Sequence, residues 1–149
     1  MSNERKALRA LRAMKEFEVL EAAVTVAHVV QARQSLQQGT HELHQQSDEA
    51  AMHLRATMSR ERLDPVLVES LQRAYRAGQG LLRERQALLA EAERREDEAL
   101  AVLARLRGGQ RSIDEALRVE AGNAESRQRS VDMNRVDDLW LQRHVWRRE

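Results

Sequence analysis

Cysteine is absent from the chain, which excludes a disulfide framework, a thiolate metal ligand and a thiol nucleophile. Aromatic residues are nearly absent as well, at 3%, so Phe17, Tyr75, Trp140 and Trp146 are the only large rings from which a globular core could be built. A single proline and six glycines among 149 residues leave little to interrupt a helix. Charge of one sign is missing too. With 25 basic and 24 acidic residues the net charge is +1, and acids and arginines are interspersed, as in Glu91-Ala92-Glu93-Arg94-Arg95-Glu96. Such mixing makes solvated helix faces laced with ion pairs, not a stripe that binds nucleic acid. No long hydrophobic run exists either. The most apolar stretch, Val19 to Val30, is interrupted by Glu21 and His28 and falls short of the roughly 20 residues that span a bilayer. Val30-Gln31-Ala32 faintly mimics a signal-peptidase site, but Glu4, Glu16 and Glu18 precede it, and the helical period of the segment argues for an ordinary helix.

What is there is helix former. Ala, Leu, Arg, Glu and Gln dominate, and these residues lose least on entering a helix. The composition predicts an all-α protein: one coiled-coil domain over 1–149, built as a long antiparallel two-helix hairpin. Nothing breaks a helix over 4–62. A heptad repeat runs through Val19, Val26, Arg33, Thr40, Ser47 and Leu54 and through Ala22, Val29, Leu36, Leu43, Ala50 and Thr57. Leu8, Leu11 and Met14 keep helical spacing in a shifted frame, which predicts a stutter near 15–18. The seam is small and partly polar.

The strongest local signal is Leu63-Asp64-Pro65-Val66-Leu67-Val68. Asp64 can cap a helix whose first residue is Pro65, where the missing N–H costs nothing. Leu63 and Val68 stand at the positions of a hydrophobic staple. Pro65 also pushes Asp64 out of helical geometry, so the first helix ends by residue 64 and the chain turns there. A second helix is predicted over 65–146. Its heptads read Leu71, Gly78, Arg85, Ala92, Ala99, Leu106, Ile113 on one set, and Leu67, Ala74, Leu81, Leu88, Arg95, Val102, Gly109, Ala116 on the other. Folding back at residue 64 sets Leu54 against Ala74, Leu43 against Arg85, Leu36 against Ala92 and Val26 against Val102. Gly108-Gly109, followed by the capping-box pattern Ser112-Ile113-Asp114-Glu115, predicts an irregularity at 108–112. Either the helix bends there and continues, or a third helix starts and packs back. The register that survives from Leu106 to Ile113 favours the bend.

Candidate chemistry is sparse. His41, His44 and Asp48 share one helix face, but His-Glu-x-His lacks the four-residue His spacing of zinc proteases. Gly78-Gln79-Gly80 has neither a preceding strand nor a third glycine, so no dinucleotide site is expected. The carboxylates have basic neighbours on their own helix and no concave pocket to shift them. The chain is therefore expected not to be an enzyme, and to hold no metal or cofactor. Past residue 124 the second helix has no partner left on the first. Val131, Met133, Val136, Leu139, Trp140 and Val145 still supply apolar surface there, and uncovered apolar surface normally means a partner. Trp140 and Trp146 are candidate anchors. Tyr75 and Leu82, each one residue past an expected seam position, either cover the seam edge or face a partner.

The bend after about 60 residues at Leu63-Asp64-Pro65, the degenerate heptads, the Arg/Gln/Glu-rich faces and the overhanging C-terminal helix resemble the central-stalk family of type III secretion systems. That family includes flagellar FliJ and injectisome YscO-type proteins. The likeness is one of architecture over the whole chain, and no catalytic motif is carried over. It implies a cytoplasmic coiled coil, peripheral to the inner-membrane export apparatus. Such a stalk sits in the pore of a hexameric secretion ATPase, links it to an export gate protein, and engages secretion chaperones. Placed on this sequence, the ATPase contact falls at the paired termini, with Leu8, Leu11, Leu139 and Trp140. The gate or chaperone contact falls near the bend, around Tyr75 and Leu82. A small helical secretion chaperone and a coiled-coil scaffold are the alternatives.

Overall fold

The computed structural model describes residues 2–147, apart from the side chain of Trp146. It consists of two helices, α1 over Asn3–Met58 and α2 over Pro65–Trp146, with no strand among the described residues. The fold is all-helical and forms a two-helix hairpin. The chain divides into two compact units: Met1–Leu20 with Arg105–Glu149, and Glu21–Ala104.

The turn is built as the sequence predicts. Asp64 Oδ1 accepts the Val66 N–H at 3.0 Å, and the Val68 N–H closes the first helical turn on the Asp64 carbonyl at 3.1 Å. Asp64 is thus the N-cap and Pro65 the first residue of α2. Leu63 stays 54% exposed and gives the staple little cover. α1 stops four residues short of the expected 62. The Ser59 N–H still bonds the Arg55 carbonyl at 3.1 Å, and the Arg60 N–H then turns to the Thr57 carbonyl at 3.3 Å, a tighter bond that closes the last turn. At the other end, Ser2 caps α1 by accepting the Arg5 N–H at 3.3 Å.

In the unit Glu21–Ala104 the covered side chains of α1 follow the expected heptads, from Ala22, Val26, Val29 and Arg33 to Leu54 and Thr57, except that Ala50 is exposed and Ala51 is covered in its place. α2 differs from expectation by one residue. Leu71, Gly78, Ala92 and Ala99 are covered as predicted, but Leu67, Leu81, Leu88 and Val102 are 39–50% exposed. Their neighbours Val68, Tyr75, Leu82, Leu89, Glu96 and Leu103 occupy the seam instead. Leu82 at 6%, Ala92 at 7% and Leu103 at 7% are the buried apolar residues. Two helices offer each other one stripe apiece, so a thin seam replaces a core.

In the other unit, Lys15 accounts for a second difference. The covered positions of α1 run through Leu8 and Lys15 in whole heptads to Ala22, so no stutter occurs at 15–18. Leu11 and Met14, which suggested the shifted frame, are 46% and 59% exposed. The Lys15 stem lies over Gly109, with its Cε 3.7 Å from where a Cβ of that glycine would stand. A lysine can hold a seam position this way, with methylenes on the partner and the ammonium at the edge, 2.9 Å from Glu18. Arg12 reaches Asp114 at 3.0 Å and Ser2 Oγ reaches Glu120 at 3.2 Å, so the two segments run antiparallel. α2 passes through 108–112 without a break, and no third helix forms among the described residues. Ser112 is not a cap: its hydroxyl donates to the Gly108 carbonyl one turn back, at 3.1 Å.

Candidate interaction surfaces

The seam of the unit Glu21–Ala104 carries polar groups that satisfy one another. Arg33 Nε donates to Glu96 Oε2 at 2.6 Å, and the two side chains are 23% and 19% exposed. Both occupy seam positions, one on each helix. Gln79 Nε2 donates to Ser47 Oγ. Thr40 and Thr57 return their hydroxyls to the carbonyls of Leu36 and His53, at 2.6 and 2.9 Å. No buried side-chain polar atom among the described residues lacks a partner. A seam of this kind gains little from hydrocarbon and relies on pairing for its register.

Outside the seam the charges are solvated. Arg94 holds the Glu91 carboxyl below its ordinary range through a side-chain hydrogen bond, and Arg118 does the same for Glu115. Their small stabilising effect is present at neutral pH and lost as pH falls through that lowered range. His44 Nδ1 lies 3.2 Å from Asp48, while His41 contacts Gln45 instead of His44. Among the described residues no group of three or more His, Asp or Glu is placed to hold a metal ion. Gly78-Gln79-Gly80 lies within α2. No helix among the described residues is long and apolar enough to cross a membrane.

The expected partner residues fall in different environments. Leu82 is buried in the seam and Tyr75 is half-buried beside Leu43, Ser47 and Gly78, so neither stands out as an exposed anchor near the bend. The sequence left open whether these two cover the seam edge or face a partner; they lie in the seam itself, which runs one residue later than the expected Ala74 and Leu81. Leu8 is half-buried and Leu11 46% exposed on α1. Leu139 and Trp140, 59% and 56% exposed, do not join them. Ser2 lies level with Glu120, and Trp140 is a further twenty residues on, roughly 30 Å along the helix. The side chain of Trp146 lies outside the described residues.

The C-terminal stretch of α2 is the longest continuously exposed segment among the described residues. Every residue over 125–145 is exposed. Its apolar residues form two faces, not the one stripe expected. Val131, Leu141 and Val145 stand whole heptads on from the seam residues Ala124 and Glu120 and continue that register past the end of α1. Met133, Val136 and Trp140, spaced i, i+3 and i+7, lie on the opposite side with Arg143 and Arg147. The Trp140 ring stacks on His144 with centroids 3.8 Å apart, and His144 Nδ1–H donates to the Trp140 carbonyl at 3.1 Å. That pair of contacts pre-orders the indole on the surface.

These features define a two-helix hairpin whose second helix outruns the first. No protein-family model matches the chain, and neither a curated protein nor a solved structure matches it.

Proposed function

We propose that the chain is a non-enzymatic stalk component of a type III protein export apparatus. In this reading it links a hexameric export ATPase to an export gate protein and handles secretion chaperones, in the cytoplasm at the inner membrane. The observation that carries it is the uncovered helix over 125–145, with Trp140 held by His144 and flanked by Arg143 and Arg147. A large ring beside guanidinium groups suits a receiving surface that is apolar at its centre and acidic at its rim. The chaperone alternative needs residues after 112 to fold back into a groove, whereas α2 continues across that point. Trp140→Ala is expected to weaken binding of the export ATPase about 30-fold, equivalent to about 2 kcal/mol. Thermal unfolding of the isolated chain should not move, since Trp140 touches no part of α1. Unchanged ATPase binding, or a chain melted by the substitution, would defeat the reading.

A further inference from the structure

α1 carries a second heptad stripe on the side away from α2: Ala10, Ala13, Phe17, Leu20, Val24 and Ala27, at alternating spacings of three and four along one unbroken helix. All six are exposed, with Phe17 at 69%, Leu20 at 66% and Val24 at 57%. These are among the most exposed large apolar side chains in the protein, and they are arranged as coiled-coil positions. A helix face that only met water would gain solubility from polar residues there.

We propose that this face is an interface between two copies of the chain, paired antiparallel about a two-fold axis between Glu18 and Val19. The occupant follows from size and charge. Antiparallel pairing about that point sets Phe17 against Leu20 of the second copy, Ala13 against Val24 and Ala10 against Ala27. Large residues meet at the centre, and an alanine at every outer layer lets the helices approach closely. At the ends Lys6 meets Gln31, and along the flanks Met14 meets Glu21 and Glu16 meets Ala23. No like charges face each other in this arrangement.

The nearest other pairings with two-fold symmetry are worse. A parallel pair stacks Phe17 on Phe17 but sets Glu16 of each copy against Glu21 of the other. Sliding the antiparallel pair one heptad in either direction opposes Glu16 with Glu16, or Glu21 with Glu21. Like charges at these flanking positions reject a pairing, so the acids select one register for a self-complementary surface. A heterologous partner would require no such self-consistency. The pairing is independent of the stalk reading, since it uses neither the C-terminal stretch of α2 nor any secretion protein.

Sedimentation equilibrium of the full chain tests it, across a concentration series reaching the millimolar range. A monomer–dimer equilibrium is expected for the natural chain. Phe17→Asp should return it to monomer at all concentrations with an unchanged helical circular dichroism signal, because Phe17 has no contact with α2 to lose. Geometry is read with introduced cysteines, as the chain has none of its own. A mixture of Ala13→Cys and Val24→Cys chains should form mixed disulfides on oxidation. Ala13→Cys alone should not, because its two copies would lie roughly 16 Å apart along the axis, far beyond the reach of about 7 Å between Cα atoms. A natural chain that stays monomeric throughout, or a Phe17→Asp chain of unchanged mass, overturns the proposal. So does efficient crosslinking of Ala13→Cys alone. A monomer whose binding of another protein depends on Phe17 would assign the face to a different occupant and overturn it equally.

Discussion

Arg33 and Glu96 decide more about this molecule than any leucine does. Each takes a position that a stronger coiled coil would give to an aliphatic residue, and each is tolerable because the other is there. Glu96→Leu alone should therefore destabilise the fold, by about 1–3 kcal/mol, by leaving a guanidinium unpaired in the seam. Adding Arg33→Leu should recover most of that loss. Urea unfolding followed by circular dichroism closes the double-mutant cycle, and an additive result would mean that the pair is not coupled. Seam position has an equally direct readout. Leu82→Ala should cost about 2 kcal/mol, whereas Leu88→Ala, at a site 50% exposed, should cost under about 1 kcal/mol.

At the scale of elements, the local signals were legible and the pairwise ones were not. Asp64-Pro65 announces the turn because capping chemistry is complete within three residues. The α1 heptads were most readable from Arg33 to Ser47, where the residue after each seam position is polar: Gln34, Gln37, His41, His44 and Asp48. α2 is ambiguous because Leu81-Leu82, Leu88-Leu89 and Val102-Leu103 offer the same hydrocarbon to two adjacent stripes. The information that separates them lies on the other helix: Arg33 asks for a carboxylate, which Glu96 supplies and Arg95 does not. The stutter expected near 15–18 likewise arose because Lys15 becomes a seam residue only through Gly109, far along the chain, which makes room for its stem. Of the candidate partner residues, the exposure of Trp140 was legible from the length of α2, while Tyr75 and Leu82 inherited the one-residue error. Gly108-Gly109 suggested a break through low helix propensity, yet the surrounding helix formers carry α2 across it. Gly108→Ala should then raise stability by about 0.5–1 kcal/mol, since a Cβ there meets nothing within 4 Å. A rise in melting temperature on that change is the measurement, and a fall would indicate a bend that the helix needs.

At the scale of the whole molecule, stability is spread thin. With three buried apolar residues among those described, no single layer holds the two helices together. Hydrogen exchange should show this as a gradient. Amides near Leu82 and Leu103 are expected to be the slowest, and those over 125–145 should exchange orders of magnitude faster, since local helix propensity alone protects them. Uniform protection along α2 would contradict an uncovered C-terminal stretch. The leucine doublets carry a last consequence. Turning α2 about its own axis by roughly half the angle of one residue, about 50°, would keep Leu71, Gly78, Ala92 and Ala99 in the seam and exchange Leu82, Leu89 and Leu103 for Leu81, Leu88 and Val102, with little change in hydrocarbon buried apart from Tyr75, which gives way to Ala74. Within the unit Glu21–Ala104 the helix thus has two facings of nearly equal apolar content, and an ionic latch tells them apart. Replacing both Arg33 and Glu96 by leucine should release that latch and give two sets of methyl resonances in slow exchange. A single set would show that packing alone distinguishes the two facings.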